Sequence, residues 1–406
     1  MRGRKMETKE VVIVSACRTP IGKFMGQFKD VSARDLAVTA GREAIRRAGI
    51  EPEMIEDVAM GELYTAMQGS LPAKQVSYRI GCPASSNAVS VNQNCASGMR
   101  ALEVVCNDIQ LGKAEIGLAI GTENMTNAPY LLPKGRGGYR MGAGQIEDSM
   151  LHDGLVDELS GGHMGLTAEN VAERYGITRE ACDELAVRSH KNACRAIDEG
   201  RFQAEIVPVI VKTKKGETVI DTDEHPIRNC SIESLSKLRP VFKKDGVVTA
   251  ANASGINDAA AAVVVMSKEK AEELHITPLV KMIHICGEGV EPEVMGLGPA
   301  VAIPKCLKAA GMKYEDVDYW EINEAFAPQF IGVGRMLKEE HDIELNMERT
   351  NVNGSGISFG HPVGCTALLI IVSMIYEMKR NNYKTGGASL CVGGGPAMAS
   401  LWTTEI

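Results

Sequence analysis

The chain has 406 residues, 44% of them hydrophobic and 24% charged, with a formal net charge of −8 at pH 7. This length allows about two or three domains, the acidic balance argues against a nucleic-acid-binding surface, and no apolar run approaches the ~20 residues that cross a bilayer. The eleven cysteines form no CxxC pair, which favours free thiols in the reducing cytoplasm over disulfides or a zinc site.

Strand-like and helix-like patterns alternate in the first part of the chain. Residues before Met6 are interpreted as an extension, since they lead into no signal-type apolar core. Hydrophobic periodicity predicts strands at Val11 to Ala16 and Ile116 to Gly121, and helices at Ala33 to Ala48, ending at Gly49, and at Met99 to Ile109. The alternation predicts an α/β fold with a mainly parallel sheet covered by helices.

Residues 126–256 break this rhythm. They contain the glycine-rich KGRGGYRMGAG, a hairpin-like stretch at Lys212 to Gly216, and helical patterns at Thr167 to Tyr175 and Arg179 to Glu199. We interpret them as an inserted loop domain that covers the face where functional groups emerge. The strand and helix alternation resumes at Val280.

The second part of the chain repeats the first. Ala48-Gly49-Ile50, IEDV and Glu62-Leu63 precede Cys95, and Ala310-Gly311-Met312, YEDV and Glu321-Ile322 precede His361. The repeat indicates two related halves, residues 1–125 plus 257–278 and residues 279–406, around the insertion. The closing strand of the second half carries Cys391 where the first half has Ala119.

Cys95 and His361 each lie near a predicted turn into a helix. Such a turn lifts a side chain out of the core and points it at helix amides, which favour negative charge. The helix after His361 contains the apolar run Val363 to Met374. Cysteine and histidine are common in nucleophilic catalysis, so the two halves are expected to form one composite site.

Six ordered blocks make the chain resemble the thiolases over nearly its whole length. They are NCASGM at Cys95, HMGLTAEN at His163, NASGIND at Asn252, NEAFAPQ at Asn323, GHPVG at Gly360 and CVGGG at Cys391. The resemblance implies a duplicated fold layered αβαβα. It also implies Claisen condensation of two acetyl-CoA to acetoacetyl-CoA, or the reverse thiolysis, within fatty acid metabolism. Coenzyme A thioesters would be the substrates, with no cofactor or metal, in a homodimer or homotetramer.

The resemblance also implies roles for particular residues. Cys95 would carry the acyl group as a thioester, and His361 would take its proton. Cys391 would be the acid/base at carbon, while His361 and a water held by Asn323 stabilise the enolate. The backbone N–H groups of Cys95 and Gly393 would form the second oxyanion hole.

Substrate contacts are implied for a further set of residues. His163 and Met164 would border the acyl pocket, Ser254, Ala325 and Phe326 would line the pantetheine tunnel, and Arg228 would meet the nucleotide end of CoA. The match of Arg228 requires a one-residue shift, so a solvated arginine is an open alternative. A core role for Phe326 and a helix cap at Asn323 are open as well.

The chain departs from the family pattern near the site. Departures are Pro396 and Ala397 after CVGGG, Ser355 and Ala367 around GHPVG, and Ala251 and Ala259 around NASGIND. They lead to the hypothesis that the chemistry is kept while the acyl pocket or partner thioester differs from plain acetyl-CoA. Alternatives are a ketoacyl synthase, against which Cys391 and NEAF argue, and a non-catalytic acyl-CoA-binding or scaffold subunit.

Overall fold

A computed structural model of the protein describes residues 8–214 and 216–406, so Met6 and Lys215 lie outside the described residues. Strands are β1 Val11–Arg18, β2 Gly22–Lys23, β3 Asp57–Gly61, β4 Asn87–Val91, β5 Ile116–Asn124, β6 Tyr130–Leu131, β7 Glu147–Asp148, β8 Val156–Asp157, β9 Gly162–His163, β10 Val209–Thr213, β11 Gly216–Ile220, β12 Asn257–Ser267, β13 Val280–Gly289, β14 Tyr319–Ile322, β15 Thr385–Cys391 and β16 Pro396–Thr403. Helices are α1 Ala33–Ala48, α2 Pro72–Ile80, α3 Ser97–Gln110, α4 Met164–Tyr175, α5 Arg179–Asp198, α6 Ile232–Leu235, α7 Lys268–Glu273, α8 Pro299–Ala310, α9 Ala327–His341, α10 Gly356–Phe359 and α11 Val363–Asn381. Within these ranges, no helix is both long and apolar enough to span a membrane.

Local signals account for several of these bounds. The Ser32 side chain accepts a hydrogen bond from the Asp35 N–H at the start of α1, and Gly49 ends the helix with φ 70°. The bounds predicted for this helix are confirmed. The apolar run at Val363 to Met374 is helical as predicted, and α11 continues beyond it to Asn381.

The strand order of the main sheet shows the duplication. From one edge it runs β4, β3, β5, β12, β1, and then β13, β16, β15, β14. The second series is the first in reverse, with β13, β14, β15 and β16 in the places of β1, β3, β5 and β12. A bridge between Trp320 and Thr350 stands beside β14 where the first half has β4. The two series join where β1 pairs with β13.

The expectation of a mainly parallel sheet is wrong, because the sheet is mixed. β3 is parallel to β4 and β5, and β14 is parallel to β15. β12 and β16 are antiparallel to their neighbours, and β1 is antiparallel to β13. Helical crossovers make strands parallel, whereas β16 follows β15 through a tight turn and β12 enters after residues 126–256. The proposed domain bounds stay a prediction.

Three apolar clusters place helices on both sides of each half-sheet. The middle cluster contains α3 and α11, which contact each other, while α1 and α2 cover the first half and α8 and α9 cover the second. The order is therefore helix, sheet, helix, sheet, helix, as the resemblance implied. The starts of the two central helices bring Cys95 and His361 together.

Candidate active site

Cys95 lies in a tight turn between β4 and α3. The preceding Asn94 has φ 45°, in the left-handed region. Its N–H donates to Asn92 Oδ1 at 3.0 Å, and its carbonyl accepts from Ser97 Oγ at 2.7 Å. Because these bonds fix the turn, Cys95 is held just before the N-terminus of α3, where its partly exposed side chain enters a cavity.

His361 is held by its backbone in the corresponding turn of the second half. Its N–H donates to the Gly255 carbonyl at 3.2 Å and to Asn257 Oδ1 at 3.1 Å. Gly360, just before it, has φ 89°, and a Cβ there would overlap the Asn257 side chain. Only glycine therefore suits this position.

The side chains of Cys95 and His361 are in hydrogen-bond contact. His361 Nε2 is 3.1 Å from Cys95 Sγ, and Nδ1 is 2.6 Å from Thr366 Oγ1. Burial lowers the pKa of His361 to about 4. Burial also raises the pKa of Cys95 to about 11, although the backbone N–H groups of Gly393 and Cys95 act to lower it. The resting pair is therefore a neutral thiol beside a neutral imidazole at pH 7.

Cys391 faces the same cavity from the end of β15. It packs with Met164, Met295 and Ala325, and burial, followed by the charge of Cys95, raises the pKa of its thiol. Asn94 Nδ2 donates to the Gly393 carbonyl at 3.0 Å and so ties the next loop to the Cys95 turn. The site thus combines groups from both halves.

The residues that depart from the family pattern lie in regular structure or make defined hydrogen bonds. Pro396 is the first residue of β16, where its missing N–H is tolerated, and its carbonyl accepts from the Val392 N–H at 3.0 Å. Ser355 Oγ accepts from the Glu324 N–H at 3.2 Å. Ala367 is fully buried in α11. None of these altered residues is among the described residues that line the cavity.

The cavity has a volume of about 550 Å³. Nine of the residues predicted for the site line it: Cys95, His163, Met164, Ser254, Ala325, Phe326, His361, Cys391 and Gly393. A cavity of this size can hold a small acyl group together with part of the pantetheine arm that the resemblance implies.

Backbone pairing and stacked rings build the cavity wall. The Ser254 N–H donates to the Ala325 carbonyl at 2.8 Å, so the NASG and NEAF segments lie side by side. The His163 ring stacks on Phe242 with centroids 4.6 Å apart, and Phe242 meets Phe326 edge to face at 6.3 Å. A core role for Phe326 alone is therefore insufficient, since its ring also faces the cavity.

Asn323 lies outside this cavity and lines a smaller one of about 40 Å³, beside Thr366. Its side chain is fully buried, and neither Oδ1 nor Nδ2 has a hydrogen-bond partner among the described residues. A space of this size holds water when polar groups face it. Asn323 does not cap a helix, because α9 begins at Ala327 with Phe326 as its cap. Its role as a water holder stays a prediction.

Arg228 is an exposed residue that pairs with Asp198, with Nη1 2.9 Å from Oδ1. It is not among the described residues that line the cavity. Its contact with the nucleotide end of CoA stays a prediction.

Sequence reasoning missed several residues at the site. Thr366, Lys23, His225 and Phe242 lie in or behind the cavity wall. Burial lowers the pKa of His225 to about 4, and Asn257 Nδ2 lies 3.3 Å from its Nδ1. Thr366 follows His361 by five residues, and that short spacing was a usable signal. Phe242 lies in an irregular segment without periodicity.

Comparisons with known proteins cover nearly the whole chain. Residues 11–269 match the model described as thiolase, N-terminal domain, and residues 276–404 match thiolase, C-terminal domain. A relative named acetyl-CoA acetyltransferase, from Syntrophomonas wolfei subsp. wolfei, is 49% identical over 97% of this chain and 99% of its own. A solved acetyl-CoA acetyltransferase from Syntrophomonas wolfei matches with a TM-score of 0.97 at 60% identity, covering 98% of this chain and 100% of that one. Human mitochondrial 3-ketoacyl-CoA thiolase in complex with CoA matches at 0.93 and 37%, covering 98% of each chain.

Proposed function

The chain belongs to the thiolase family, and from that premise we propose that it is an acetyl-CoA C-acetyltransferase. It condenses two acetyl-CoA to acetoacetyl-CoA and CoA, or catalyses the reverse thiolysis. The observation that carries this proposal is the 3.1 Å contact between Cys95 Sγ and His361 Nε2, with Cys391 in the same cavity. The second thiol argues against a ketoacyl synthase, and the intact Cys95–His361 contact argues against a binding-only subunit.

The first step is acyl transfer to Cys95. Its thiol gives its proton to His361 Nε2, and Sγ attacks the thioester carbonyl of acetyl-CoA. The N–H groups of Cys95 and Gly393 stabilise the oxyanion, where removing one such donor typically costs about 2.7 to 4 kcal/mol of barrier. The CoA sulfur leaves with the proton of the Cys391 thiol, the acetyl group stays on Cys95 as a thioester, and His361 keeps the proton from Cys95.

The second step forms the carbon–carbon bond. Cys391, a thiolate after it has protonated the leaving CoA sulfur, takes a proton from the methyl carbon of a second acetyl-CoA. Burial raises the pKa of this thiol, which makes its thiolate a stronger base toward a weak carbon acid. His361 and the water held by Asn323 stabilise the enolate oxygen, and the enolate carbon attacks acetyl-Cys95 and releases its thiolate, which takes its proton back from His361.

Two cysteine variants separate these steps. With acetyl-CoA, Cys391→Ser should accumulate acetyl-Cys95 in intact-protein mass spectrometry without making acetoacetyl-CoA, and Cys95→Ser should do neither. Cys194→Ser is the matched control, because Cys194 is a free, partly exposed cysteine away from the cavity. Equal loss of acetylation in both catalytic variants would contradict the division of roles.

Acetyl is the proposed acyl group, because the residues that differ from the family pattern lie away from the cavity lining, while Met164 and Met295 line the cavity beside Cys391. The hypothesis of a different partner thioester stays a prediction. Thiolysis rates across straight and branched 3-oxoacyl-CoA substrates test it. Acetoacetyl-CoA turned over much faster than every longer or branched analogue would rule it out.

We propose further that the enzyme works in the cytoplasm, in fatty acid metabolism, as a homodimer or homotetramer without a cofactor beyond its CoA substrates. The assembly is supported by β4, an edge strand beside the Cys95 turn, and by exposed apolar side chains in the insertion, such as Met141 at 97% exposure. Size-exclusion chromatography with light scattering tests it. A species at the 43.6 kDa of one chain would contradict it.

A further inference from the structure

Thr366 lies behind His361 on the first turn of α11. Its Oγ1 is 2.6 Å from His361 Nδ1 and 3.1 Å from the Pro362 carbonyl, to which it donates. The Thr366 side chain is buried, and it lines the small cavity rather than the large one. It therefore contacts the imidazole from the side opposite to the substrate.

Three protons are involved: those of the Thr366 hydroxyl, the neutral His361 ring and the Cys95 thiol. One arrangement gives each of them a hydrogen-bond acceptor. The Thr366 hydroxyl donates at 3.1 Å to the Pro362 carbonyl, which also accepts from the N–H groups of Cys365 and Thr366. Oγ1 then accepts from a proton on His361 Nδ1, and Nε2 accepts from the Cys95 thiol. If the hydroxyl pointed at Nδ1 instead, Nε2 would carry the proton and the Cys95 S–H would have no acceptor among the described residues.

We propose that Thr366 is a positioning residue that holds His361 as the tautomer with its proton on Nδ1. The inference rests on the proposed acyl transfer. In that step the Cys95 proton moves to Nε2, the electron pair stays on Sγ and attacks the carbonyl, and the Nδ1 proton stays hydrogen-bonded to Thr366. Fixing the tautomer of a catalytic histidine is a large effect where it has been tested in other enzymes.

Burial strengthens the case for a fixed tautomer. His361 is 7% exposed, and burial lowers its pKa, so the resting imidazole is neutral and its two nitrogens have different roles. A buried nitrogen without a partner is costly. Loss of the Thr366 hydroxyl leaves Nδ1 without one in either tautomer, which removes the preference for a free Nε2.

The test compares Thr366→Val, which keeps the shape, with Thr366→Ser, which keeps the hydroxyl. Thr350→Val is the matched control, because Thr350 is also buried and its Oγ1 donates to a carbonyl four residues earlier, at 2.8 Å from Asn346 O. The first readout is the rate of Cys95 alkylation by iodoacetamide at pH 7.5, which needs no acyl-CoA. The second is kcat and KM for acetoacetyl-CoA thiolysis.

Thr366→Val should slow alkylation and lower kcat by about 10-fold or more, with KM changed less than about 2-fold. Thr366→Ser should recover most of both rates, and Thr350→Val should match wild type. The proposal is overturned if Thr366→Val reacts at the wild-type rate, if Thr366→Ser is as slow as Thr366→Val, or if Thr350→Val is equally impaired. A wild-type enzyme with no thiolysis would refute the proposed function but leave the alkylation comparison valid.

A direct measurement covers the case in which Thr366→Val does not fold. In the ¹⁵N-histidine-labelled wild-type enzyme, the His361 signal, identified by its loss in His361→Asn, should report a proton on Nδ1. An unprotonated Nδ1 would overturn the inference.

Discussion

At the residue scale, burial determines the charge of the Cys95–His361 pair. An imidazole with a pKa of about 4 beside a thiol with a pKa of about 11 leaves the proton on sulfur at neutral pH. In the proposed reaction, the Cys95 thiolate is thus formed as the thioester arrives, where N–H donors take up the developing charge. Such a thiol is protected from adventitious alkylation, because the thiolate is the reactive form.

The pH dependence of Cys95 alkylation follows from this state. The pKa is raised, so the thiolate fraction, and with it the iodoacetamide rate, should rise about tenfold per pH unit from pH 7 to 10. Cys95→Ala gives the background from the other cysteines. A plateau below pH 8 would instead mean that the pair is a thiolate–imidazolium ion pair at rest.

Gly393→Ala tests the loop that supplies the proposed oxyanion donor. A Cβ at this position would overlap Cε of Met164 and lie 3.2 Å from Asn94 Nδ2. Because Met164 is flexible, we expect a reduced kcat/KM rather than an unfolded protein. The double variant with Met164→Ala should recover activity relative to Gly393→Ala alone, with Met164→Ala as the control. No recovery would place the defect in the backbone of the loop.

At the element scale, β3 and β5 end in two buried acidic side chains. Glu123 accepts from the N–H groups of Leu63 at 3.0 Å, Tyr64 at 3.2 Å and Gly364 at 2.8 Å. Neither carboxylate oxygen of Glu62 has a partner among the described residues. Burial raises the pKa of both, that of Glu123 to about 7. Above pH 4.5, the carboxyl groups of Glu62 and Glu123 are therefore protonated to a greater extent in the folded protein than in the unfolded chain.

Glu62→Gln should stabilise the protein most at alkaline pH. A carboxyl whose pKa is raised on folding contributes stability below its unfolded pKa, and this is lost as pH rises through the folded value. Because the substitution removes a buried, unpartnered charge, we expect the free energy of unfolding to rise by about 1 to 3 kcal/mol at pH 8 and to change little at pH 5. Thermal denaturation at both pH values measures this. A variant less stable than wild type at pH 8 would contradict it.

The elements show what local sequence signals can predict. Helix α1 was predicted to the residue from its periodicity and from Gly49 at its end, and the structure adds Ser32 as its N-terminal cap. The repeat directed attention to Cys95, His361 and Cys391. The antiparallel placement of β12 was not predictable, since its neighbours are distant in sequence. His225 and Phe242 were missed because irregular segments carry them to the cavity. Only the folded chain brings such segments together.

At the scale of the whole molecule, two related halves supply different groups to one cavity. Cys95 and its turn come from the first half, while His361 and Cys391 come from the second. The strand pairings correct the expected match of Ala119 with Cys391: Gly121 pairs with Gly61 as Gly387 pairs with Trp320, so Met125 takes the place of Cys391 in the first half. Neither half contains all the groups of the proposed site, so the proposed reaction requires the interface between α3 and α11.

The connection between the halves should tolerate a chain break. His275 is exposed, with φ 56°, between α7 and β13, and the halves are held by the buried middle cluster and the pairing of β1 with β13. Co-expressed segments 1–277 and 278–406 should co-purify with thiolysis activity, while each alone is inactive. A break inside β12, after Ala261, is the negative control. Failure of the first pair to associate would contradict this expectation.

The hydrogen bond from Asn94 to the Gly393 carbonyl has a consequence for redesign of chain-length selectivity. It links the Cys95 turn of one half to the Gly393 loop of the other, so a bulky acyl group that displaces Gly393 would also move Cys95. Mutant libraries intended to accept longer chains should therefore vary Met164 and Met295, which line the cavity beside Cys391, and leave Asn94 unchanged.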